Sequence, residues 1–203
     1  MGKKTKPKMD IKRPLSWSAI STFEWDPECW YRRYVLGQKD EPTREMIFGK
    51  TEGEHLAFDR KYLPIVPRET ISEHKLFTSF DKIPLIGFID FLSTDHRKLF
   101  EMKTGKQPWD QKRVDEHGQI TMYCLGLYLM EKIKPEDVDI TLVWLPTQET
   151  LINMKDNDST ISYVQPFEVK VFKTKRRMSD ILVFGARLKK TYKAMQLYAK
   201  KHN

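Results

Sequence analysis

Residues 84–104 read PLIGFIDFLSTDHRKLFEMKT, and they carry the clearest pattern of secondary structure in the chain. It holds two apolar runs, PLIGFIDFL (84–92) and KLFEMKT (98–104), on either side of a polar segment. A third run of the same kind, HKLFTSF (74–80), comes shortly before them. Short apolar or alternating runs between polar turns are typical of β-strands. The sequence therefore predicts three consecutive strands in hairpin succession.

Charged side chains interrupt two of these runs, those over residues 84–92 and 98–104. Asp90 lies near the end of the second predicted strand, and Glu101 and Lys103 lie on the third. Glu101 and Lys103 share one face because side chains alternate along a strand, and Asp90 can lie beside Glu101 on the neighbouring strand. The flanking residues are apolar, so these charges are costly to desolvate unless they are paired or bind a cation.

Two carboxylates in such a setting are suitable ligands for a hard divalent ion, either Mg²⁺ or Mn²⁺. The spacing alone also fits a simpler arrangement, in which Asp90, Glu101 and Lys103 form an ion pair on the solvated face of an edge strand. Spacing by itself does not separate the two interpretations.

The segments before the strands have a helical pattern. Asp26-Pro27 is typical of a helix start, with a capping side chain and a proline at the first position, and Gly37 is typical of a helix end. Residues 43–61 indicate another helix. The helical turn that opens the segment is expected to be capped by one of two serines, Ser16 or Ser18.

The segments after the strands continue the alternation of helix and strand. Residues 110–133 have a helical pattern with Gly118 as a weak point, and the apolar content near its centre is typical of a helix buried against a sheet. Residues 139–147 and 161–172 have strand character, and a final helix is expected to be capped by Ser179. This order predicts an α/β protein with a central mixed sheet of about five strands, flanked by helices, and an N-terminal helical segment.

Composition narrows the class of protein. The chain has 203 residues, a formal net charge of +8 and a pI near 9.3, which favours binding to polyanions such as nucleic acid. Residues 1–14 are basic and almost without apolar side chains, so we expect a disordered tail. An apolar stretch of the length that a signal peptide or a membrane span needs is not found, and we expect a cytoplasmic protein without a membrane partner.

Three short segments form an ordered set of motifs: Gly87-Phe88-Ile89-Asp90, Glu101-Met102-Lys103 and Gln119-Ile120-Thr121-Met122-Tyr123. Gln119 and Tyr123 are four positions apart and so share one face of a helix. The set resembles the PD-(D/E)XK nuclease superfamily, and in particular its RecB-like exonuclease branch, in which Q-x-x-x-Y follows E-x-K. The opening segment, residues 15–34, is similar as well. The resemblance implies a restriction-endonuclease-like fold and a single nuclease domain over residues 15–203.

The resemblance also implies ligands for the Mg²⁺ or Mn²⁺ ion: His55, Asp90, Glu101 and the backbone carbonyl of Met102. The interval between Gly49 and His55 differs from that in the family. Glu52 or Glu54 is therefore the alternative ligand from the same predicted helix.

Catalytic roles follow from the same resemblance. Asp90 and Glu101 are the implied catalytic carboxylates, and Lys103 is implied to orient the attacking water and to favour its hydroxide form. Gln119 and Tyr123 are implied to position the substrate, although a tyrosine at this place also fits a core aromatic residue.

Some members of the branch hold an iron–sulfur cluster on four cysteines. This chain has two cysteines, Cys29 and Cys124, and neither is followed by the further cysteines that a cluster needs. Four thiolates cannot be assembled, so we expect no iron–sulfur cluster and two buried structural cysteines.

Two basic regions are candidate DNA contacts. Residues 173–201 contain ten lysines and arginines and a single acidic residue. Cations on the wet face of a helix there can contact phosphates, or can only keep the surface soluble. Trp30 and Tyr31 in the opening segment either stack on bases or, as we favour, anchor that segment to the sheet. The DNA contacts expected from the two regions are Arg32, Arg33, Lys175, Arg176 and Arg177.

The implied function is that of a metal-dependent DNA nuclease, an exonuclease acting on single-stranded or end-containing DNA in recombination, repair or phage DNA processing. A structure-specific endonuclease and a catalytically inactive nucleic-acid-binding accessory module are the alternatives. Expected partners are DNA and a recombination or replication protein. The expected location is the cytoplasm of a bacterial or phage-infected cell, with at most an association with the nucleoid. The oligomeric state is not indicated.

Overall fold

The computed structural model describes residues 13–44, 46–51, 65–67, 69–153, 160–166 and 168–202, with the side chains of 149–153 and 160–166 left aside. Most of the predicted basic tail and the whole of residues 52–64 lie outside the described residues. Within the described ranges, no helix combines the length and the apolar composition that a membrane crossing needs.

The predicted three-strand block is confirmed. Strands β1 (Thr70–Phe80), β2 (Ile83–Ser93) and β3 (Lys98–Gly105) follow one another in the chain, and β2 pairs antiparallel with both of its neighbours. Apolar side chains alternate toward the core along these strands, as the sequence pattern requires. The block forms one half of the sheet and carries the charged motifs.

The other half of the sheet is built around one long strand, β4 (Asp139–Asn153), which runs parallel to β3. Strand β5 (Thr160–Pro166) pairs antiparallel with the second half of β4, and β6 (Lys170–Thr174) pairs antiparallel with its first half. Strands β1, β2, β3, β4 and β6 are therefore neighbours in that order, and β5 extends the sheet along the second half of β4 as a sixth strand. The sheet is mixed, which confirms the predicted α/β class with about five central strands flanked by helices.

The single strand predicted over residues 161–172 is wrong, because this segment forms two strands with different partners. Strand β5 ends at Pro166. Proline has no N–H to donate to a sheet ladder, so pairing stops there and the chain resumes as β6 along the other half of β4.

The opening helices begin where the sequence predicts. Helix α1 (Trp17–Trp25) is capped by Ser16, whose hydroxyl accepts the backbone N–H of Ala19 at 3.2 Å. Helix α2 (Pro27–Trp30) is capped by Asp26, which accepts the N–H of Cys29 at 3.0 Å, and continues into a π-helical turn over Tyr31–Val35. Helix α3 covers residues 44–51, residue 45 aside.

The helix predicted over residues 110–133 is divided into α4 (Gln111–Asp115) and α5 (Gly118–Glu131). The break falls at His117, which has an extended backbone conformation. At Gly118 the indole of Trp17 occupies the space that a side chain would fill. The predicted weak point at Gly118 is therefore the place where α1 packs against the start of α5.

The last helix, α6 (Met178–His202), begins one residue before the predicted cap, so the prediction that Ser179 caps it is wrong. Asp180 takes this role from inside the helix: its carboxylate accepts the backbone N–H of Arg177 at 2.7 Å. A side chain three residues into a helix that reaches back in this way satisfies one of the unpaired N–H groups at the helix start.

The main core lies between the sheet and helices α1, α5 and α6. Helix α5 is buried over most of its length, and a stripe of α6 side chains spaced by three and four residues packs inward, as predicted. A smaller apolar cluster lies on the other face of the sheet and is formed by Val66, Phe91, Phe100 and Met102. The charged motifs lie under α5, on the side of the main core.

Candidate active site

Alternation along β3 divides its side chains between the two faces of the sheet. Leu99 packs in the main core under α5, whereas Phe100 and Met102 belong to the smaller cluster on the opposite face. Glu101 and Lys103 therefore point toward α5. A strand with this pattern places two charged groups under a buried helix.

Asp90 reaches this strand from β2. Its Oδ2 accepts the backbone N–H of Met102 at 2.6 Å, which places the carboxylate beside the Glu101–Lys103 segment. Burial raises the pKa of Asp90 above its usual range, and the ammonium of Lys103 and the N–H of Met102 oppose this shift. The structure thus brings together the acidic residues that the sequence places on neighbouring strands.

Glu101 is the most buried charged group of this cluster, with 1% of its surface exposed. Its Oε1 accepts a hydrogen bond from Lys103 Nζ at 2.6 Å, while Oε2 is buried and has no partner among the described residues. Burial raises the pKa of Glu101 to about 8, against the opposing charge of Lys103. The carboxyl therefore holds a proton at neutral pH unless a second cation takes the place of that proton.

A chain of hydrogen bonds connects Lys103 to α5. Lys103 Nζ donates to Gln119 Oε1 at 2.8 Å, Gln119 Nε2 donates to the Tyr123 hydroxyl at 2.6 Å, and that hydroxyl donates to the carbonyl of Phe88. The spacing of four residues places Gln119 and Tyr123 one above the other on α5. The chain holds the lysine ammonium in a fixed position over the carboxylates.

Tyr123 fits closely against β2. It is 3% exposed, and burial together with the neighbouring Glu101 charge raises the pKa of its hydroxyl. A Cβ at Gly87 would lie 2.8 Å from Tyr123 Cε1, so the glycine of the Gly-Phe-Ile-Asp motif is what lets the ring approach. Tyr123 is at once a core aromatic residue and a member of the polar chain.

Sequence reasoning misses a third carboxylate, that of Glu73 on β1. The register pairs Ser72 with Phe91 and His74 with Ile89, so Glu73 lies across from Asp90. Its φ of 52° is in the left-handed region, which is strained for a residue other than glycine. Its charge acts to raise the pKa values of both Asp90 and Glu101. Glu73 immediately precedes the predicted strand over residues 74–80, and its residue type gave no signal of this backbone geometry.

The remaining candidate residues are the predicted ligand from the helix before the strands and the expected DNA contacts. The predicted ligand His55 and its alternatives Glu52 and Glu54 lie outside the described residues. Of the expected DNA contacts, four are exposed on the surface: Arg32, Arg33, Lys175 and Arg177. Arg33 pairs with Asp40, and Lys175 pairs with Asp139 at 2.7 Å.

Arg176 requires a correction, because the sequence predicts a DNA contact and the structure buries this side chain to 2% exposure. Its guanidinium donates inward to hydroxyl and carbonyl groups at 2.8–3.3 Å. The acceptors are Thr121, Thr174, Lys175, Val114 and His117. A guanidinium that is buried and fully bonded holds α4, α5 and β6 together and has no surface to offer DNA.

The aromatic residues of the opening segment act as anchors, as the sequence analysis favours. Trp30 is 2% exposed and Tyr31 7% exposed, and the Tyr31 hydroxyl donates to the carbonyl of His202 at 3.0 Å. Cys29 and Cys124 are buried free thiols, which agrees with the structural role predicted for them.

The fold and the buried acidic cluster together define a restriction-endonuclease-like α/β protein. The model of the PD-(D/E)XK nuclease superfamily matches residues 51–196, which is more than half of the chain. This chain belongs to the PD-(D/E)XK nuclease superfamily.

Solved structures give the same fold. A protein of Eubacterium rectale named "Putative exonuclease" superposes with a TM-score of 0.60 at 8% identity, over 94% of this chain and 82% of that chain. The protein SSO0001 superposes with a TM-score of 0.54 at 12% identity, over 93% of this chain and 79% of that chain. No curated protein matches the chain at a significant level.

Proposed function

We propose that this protein is a metal-dependent deoxyribonuclease whose single domain over residues 15–203 degrades single-stranded or end-containing DNA as an exonuclease of the RecB-like branch. The observation that carries this proposal is the buried carboxylate of Glu101, with one oxygen bonded to Lys103 and the other without a partner among the described residues. A buried, half-satisfied carboxylate lowers stability, and active sites are where such costs are tolerated. A module that only binds nucleic acid has no need of it.

The donor set fits a hard divalent ion. Asp90 and Glu101 offer carboxylate oxygens in a site where ionisation is unfavourable without a neighbouring cation, which is the chemistry that Mg²⁺ or Mn²⁺ satisfies. The backbone carbonyl of Met102 lies on the segment between Glu101 and Lys103 and is the third proposed ligand. Glu73 lies across from Asp90 and supplies a further carboxylate at this edge.

A ligand from the segment after α3 completes the proposed site, with His55 as our first choice. The close approach of α3 to the sheet supports it: an ideal Cβ at Gly49 would lie 2.7 Å from the hydroxyl of Thr104, the residue that follows Lys103. Gly49, six positions before His55 in the sequence, thus lies against β3.

A bound ion would supply the Lewis acid that neutralises charge on the phosphate during hydrolysis. Lys103 supplies a fixed ammonium, two of whose three N–H groups are directed to Glu101 and Gln119. Its remaining N–H can orient the attacking water and stabilise its hydroxide form. Gln119 and Tyr123 act as positioning residues, because their hydrogen bonds restrict where the ammonium can lie.

DNA binding is proposed for exposed arginines and lysines of the opening segment and of the residues just before α6: Arg32, Arg33, Lys175 and Arg177. Phosphate contacts by such groups weaken steeply with salt. The biological setting that we propose is recombination, repair or phage DNA processing in the cytoplasm of a bacterial or phage-infected cell, together with a recombination or replication protein.

The test is digestion of linear and circular DNA, single- and double-stranded, with Mg²⁺ or Mn²⁺ and with EDTA. An exonuclease degrades the linear single strand, leaves the circle intact and stops in EDTA. Cutting of the circle would identify a structure-specific endonuclease instead. DNA binding without cleavage of any substrate would identify an accessory module.

A further inference from the structure

A second group of metal-binding side chains lies away from the Asp90–Glu101 cluster. His74 is on β1, His96 is in the turn between β2 and β3, and Glu131 is the last residue of α5. One potential ligand atom from each of them lies within 4.8 Å of the other two. His96 Nδ1 is 2.6 Å from Glu131 Oε2, and the rings of His74 and His96 have centroids 5.0 Å apart.

One nitrogen of this group is left without a partner. His74 Nε2 is shielded from solvent and forms no hydrogen bond within the described part of the chain. Buried polar atoms of side chains are nearly always bonded, and each exception calls for an explanation such as an ion that completes it. Both the carboxylate of Glu131 and the ring of His96 are close enough to share that ion with His74.

The backbone around the group favours a cation as well. His96 has a φ of 58°, in the left-handed region, and the turn is closed by its N–H, which donates to the Ser93 carbonyl at 2.8 Å. Histidine tolerates this conformation better than most residues, and here it directs the ring toward Glu131. Glu131 ends α5, and the carbonyl end of a helix carries partial negative charge that attracts cations.

The group is separate from the proposed active site. Glu131 lies eight residues beyond Tyr123 on α5, a distance of about 12 Å along the helix axis. Its ligands are also of a different kind, because two imidazole nitrogens and one carboxylate oxygen suit borderline ions, whereas the ligands proposed for the active site are mainly oxygen atoms, which suit Mg²⁺ or Mn²⁺.

We propose that His74, His96 and Glu131 form a second metal site that binds Zn²⁺ or a similar borderline divalent ion. Ligands of one zinc ion are about 3–4 Å apart. A separation near the 4.8 Å limit of the group would have to shorten by about 1 Å, whereas the hydrogen-bonded pair His96 Nδ1–Glu131 Oε2, at 2.6 Å, would have to lengthen by about as much. The ion would connect β1, the β2–β3 turn and the end of α5, three elements that are far apart in the sequence. The fourth position stays open to water or to another ligand. This inference does not depend on the proposed nuclease activity.

The test is titration of the full-length chain with Co²⁺, a spectroscopic substitute for Zn²⁺, and with Zn²⁺ itself. We expect a visible d–d absorption band of a low-coordinate Co²⁺ site, and a rise of about 5 °C in the unfolding midpoint with excess Zn²⁺. Asp90→Asn should keep both signals, because it changes the other cluster only. His202→Ala should keep them too and serves as the matched surface histidine.

His74→Ala and His96→Ala should lose the absorption band and bind Zn²⁺ about 100-fold more weakly. Glu131→Gln preserves a hydrogen-bonding partner for His96 but is a poor ligand, so it should weaken Zn²⁺ binding. This conservative variant keeps the test decisive if an alanine variant fails to fold. Retention of the band and of the Zn²⁺ shift in Glu131→Gln and in the histidine variants would overturn the proposal. So would loss of both signals in Asp90→Asn, and so would a wild-type chain that shows neither signal.

Discussion

Arg176 and Glu101 are both buried charged residues of the main core, but their hydrogen bonds are completed to different extents. All five N–H donors of Arg176 have an acceptor within the protein. Glu101 has one oxygen bonded to Lys103 and one without a described partner. A completed set of hydrogen bonds therefore marks a buried charge as structural, whereas an incomplete set marks a place for a ligand.

Substitutions of the two charged neighbours of Glu101 should cause the greatest loss of activity. Lys103→Ala or Asp90→Ala should lower metal-dependent DNA degradation by about 10³-fold, because each removes a charge that acts on the reacting phosphate or water. The measurement is a nuclease assay with Mg²⁺ or Mn²⁺, together with circular dichroism to show that the fold is intact. Lys193→Ala, an exposed lysine on α6, is the matched control and should stay active. Full activity in both site variants would refute the assignment.

The next largest effect concerns stability at the completed group. Arg176→Ala should lower the free energy of unfolding by about 3–4 kcal/mol, because it leaves the buried carbonyls of Val114 and His117 without donors. Urea denaturation measures this change. The neighbouring Arg177→Ala is exposed and should change stability by less than about 0.5 kcal/mol. Equal stability of the two variants would show that Arg176 is not a structural residue.

In metal-free protein, Glu101→Gln should change the free energy of unfolding in the opposite direction to Arg176→Ala and raise it. Burial raises the pKa of Glu101 from 4.5 to about 8, so its contribution to stability is complete below about pH 4.5 and is lost as the pH rises through about 8. Glutamine cannot ionise, so Glu101→Gln should be more stable than the wild type by about 1–3 kcal/mol at pH 9 and equally stable near pH 4. Urea denaturation in EDTA at both pH values tests this.

Glu24 provides the control of opposite sign. Burial acts to raise its pKa but is outweighed by hydrogen bonds from Arg187 and Thr191, so the pKa lies below its usual range. Its stabilising contribution is therefore present at neutral pH and is lost in acid. Glu24→Gln should reduce stability at pH 7, and a stabilising effect there would contradict the reasoning for both residues.

The smallest effect is expected at the hydrogen-bond chain that connects the cluster to α5. Tyr123→Phe removes the hydroxyl that bonds to Gln119 and to the Phe88 carbonyl, while it keeps the ring in the core. We expect about a tenfold lower kcat and a loss of about 1 kcal/mol in stability. Tyr198→Phe, whose hydroxyl bonds to Glu28 at the surface, should leave kcat unchanged. An unchanged kcat in Tyr123→Phe would reduce its role to packing.

Much of the proposed active-site cluster could be predicted from sequence because it is built by local rules. Strand alternation places Glu101 and Lys103 on one face, a short turn brings Asp90 beside them, and helical spacing aligns Gln119 with Tyr123. The first and the last of these relations depend on periodicity alone, and the second depends on a short turn between consecutive strands. The strands that carry them were predicted for the same reason.

The features that sequence reasoning missed depend on contacts between distant segments or on backbone geometry. Arginine is a residue type that usually lies at the surface, and the hydrogen-bond acceptors of Arg176 come from segments as distant in the sequence as Val114. Glu73 lies at the cluster because the pairing of β1 with β2 places it across from Asp90, and its left-handed φ is not indicated by the residue type. His74 and Glu131 are 57 positions apart and come together only when α5 packs on β1.

Calorimetric titration with Mn²⁺ at pH 7 tests whether a metal ion completes the hydrogen-bonding and charge requirements of Glu101. We predict that the wild type binds Mn²⁺ and that Glu101→Gln and Asp90→Asn bind it at least about tenfold more weakly, with Lys193→Ala unchanged. Undiminished Mn²⁺ binding in Glu101→Gln and Asp90→Asn would contradict the account.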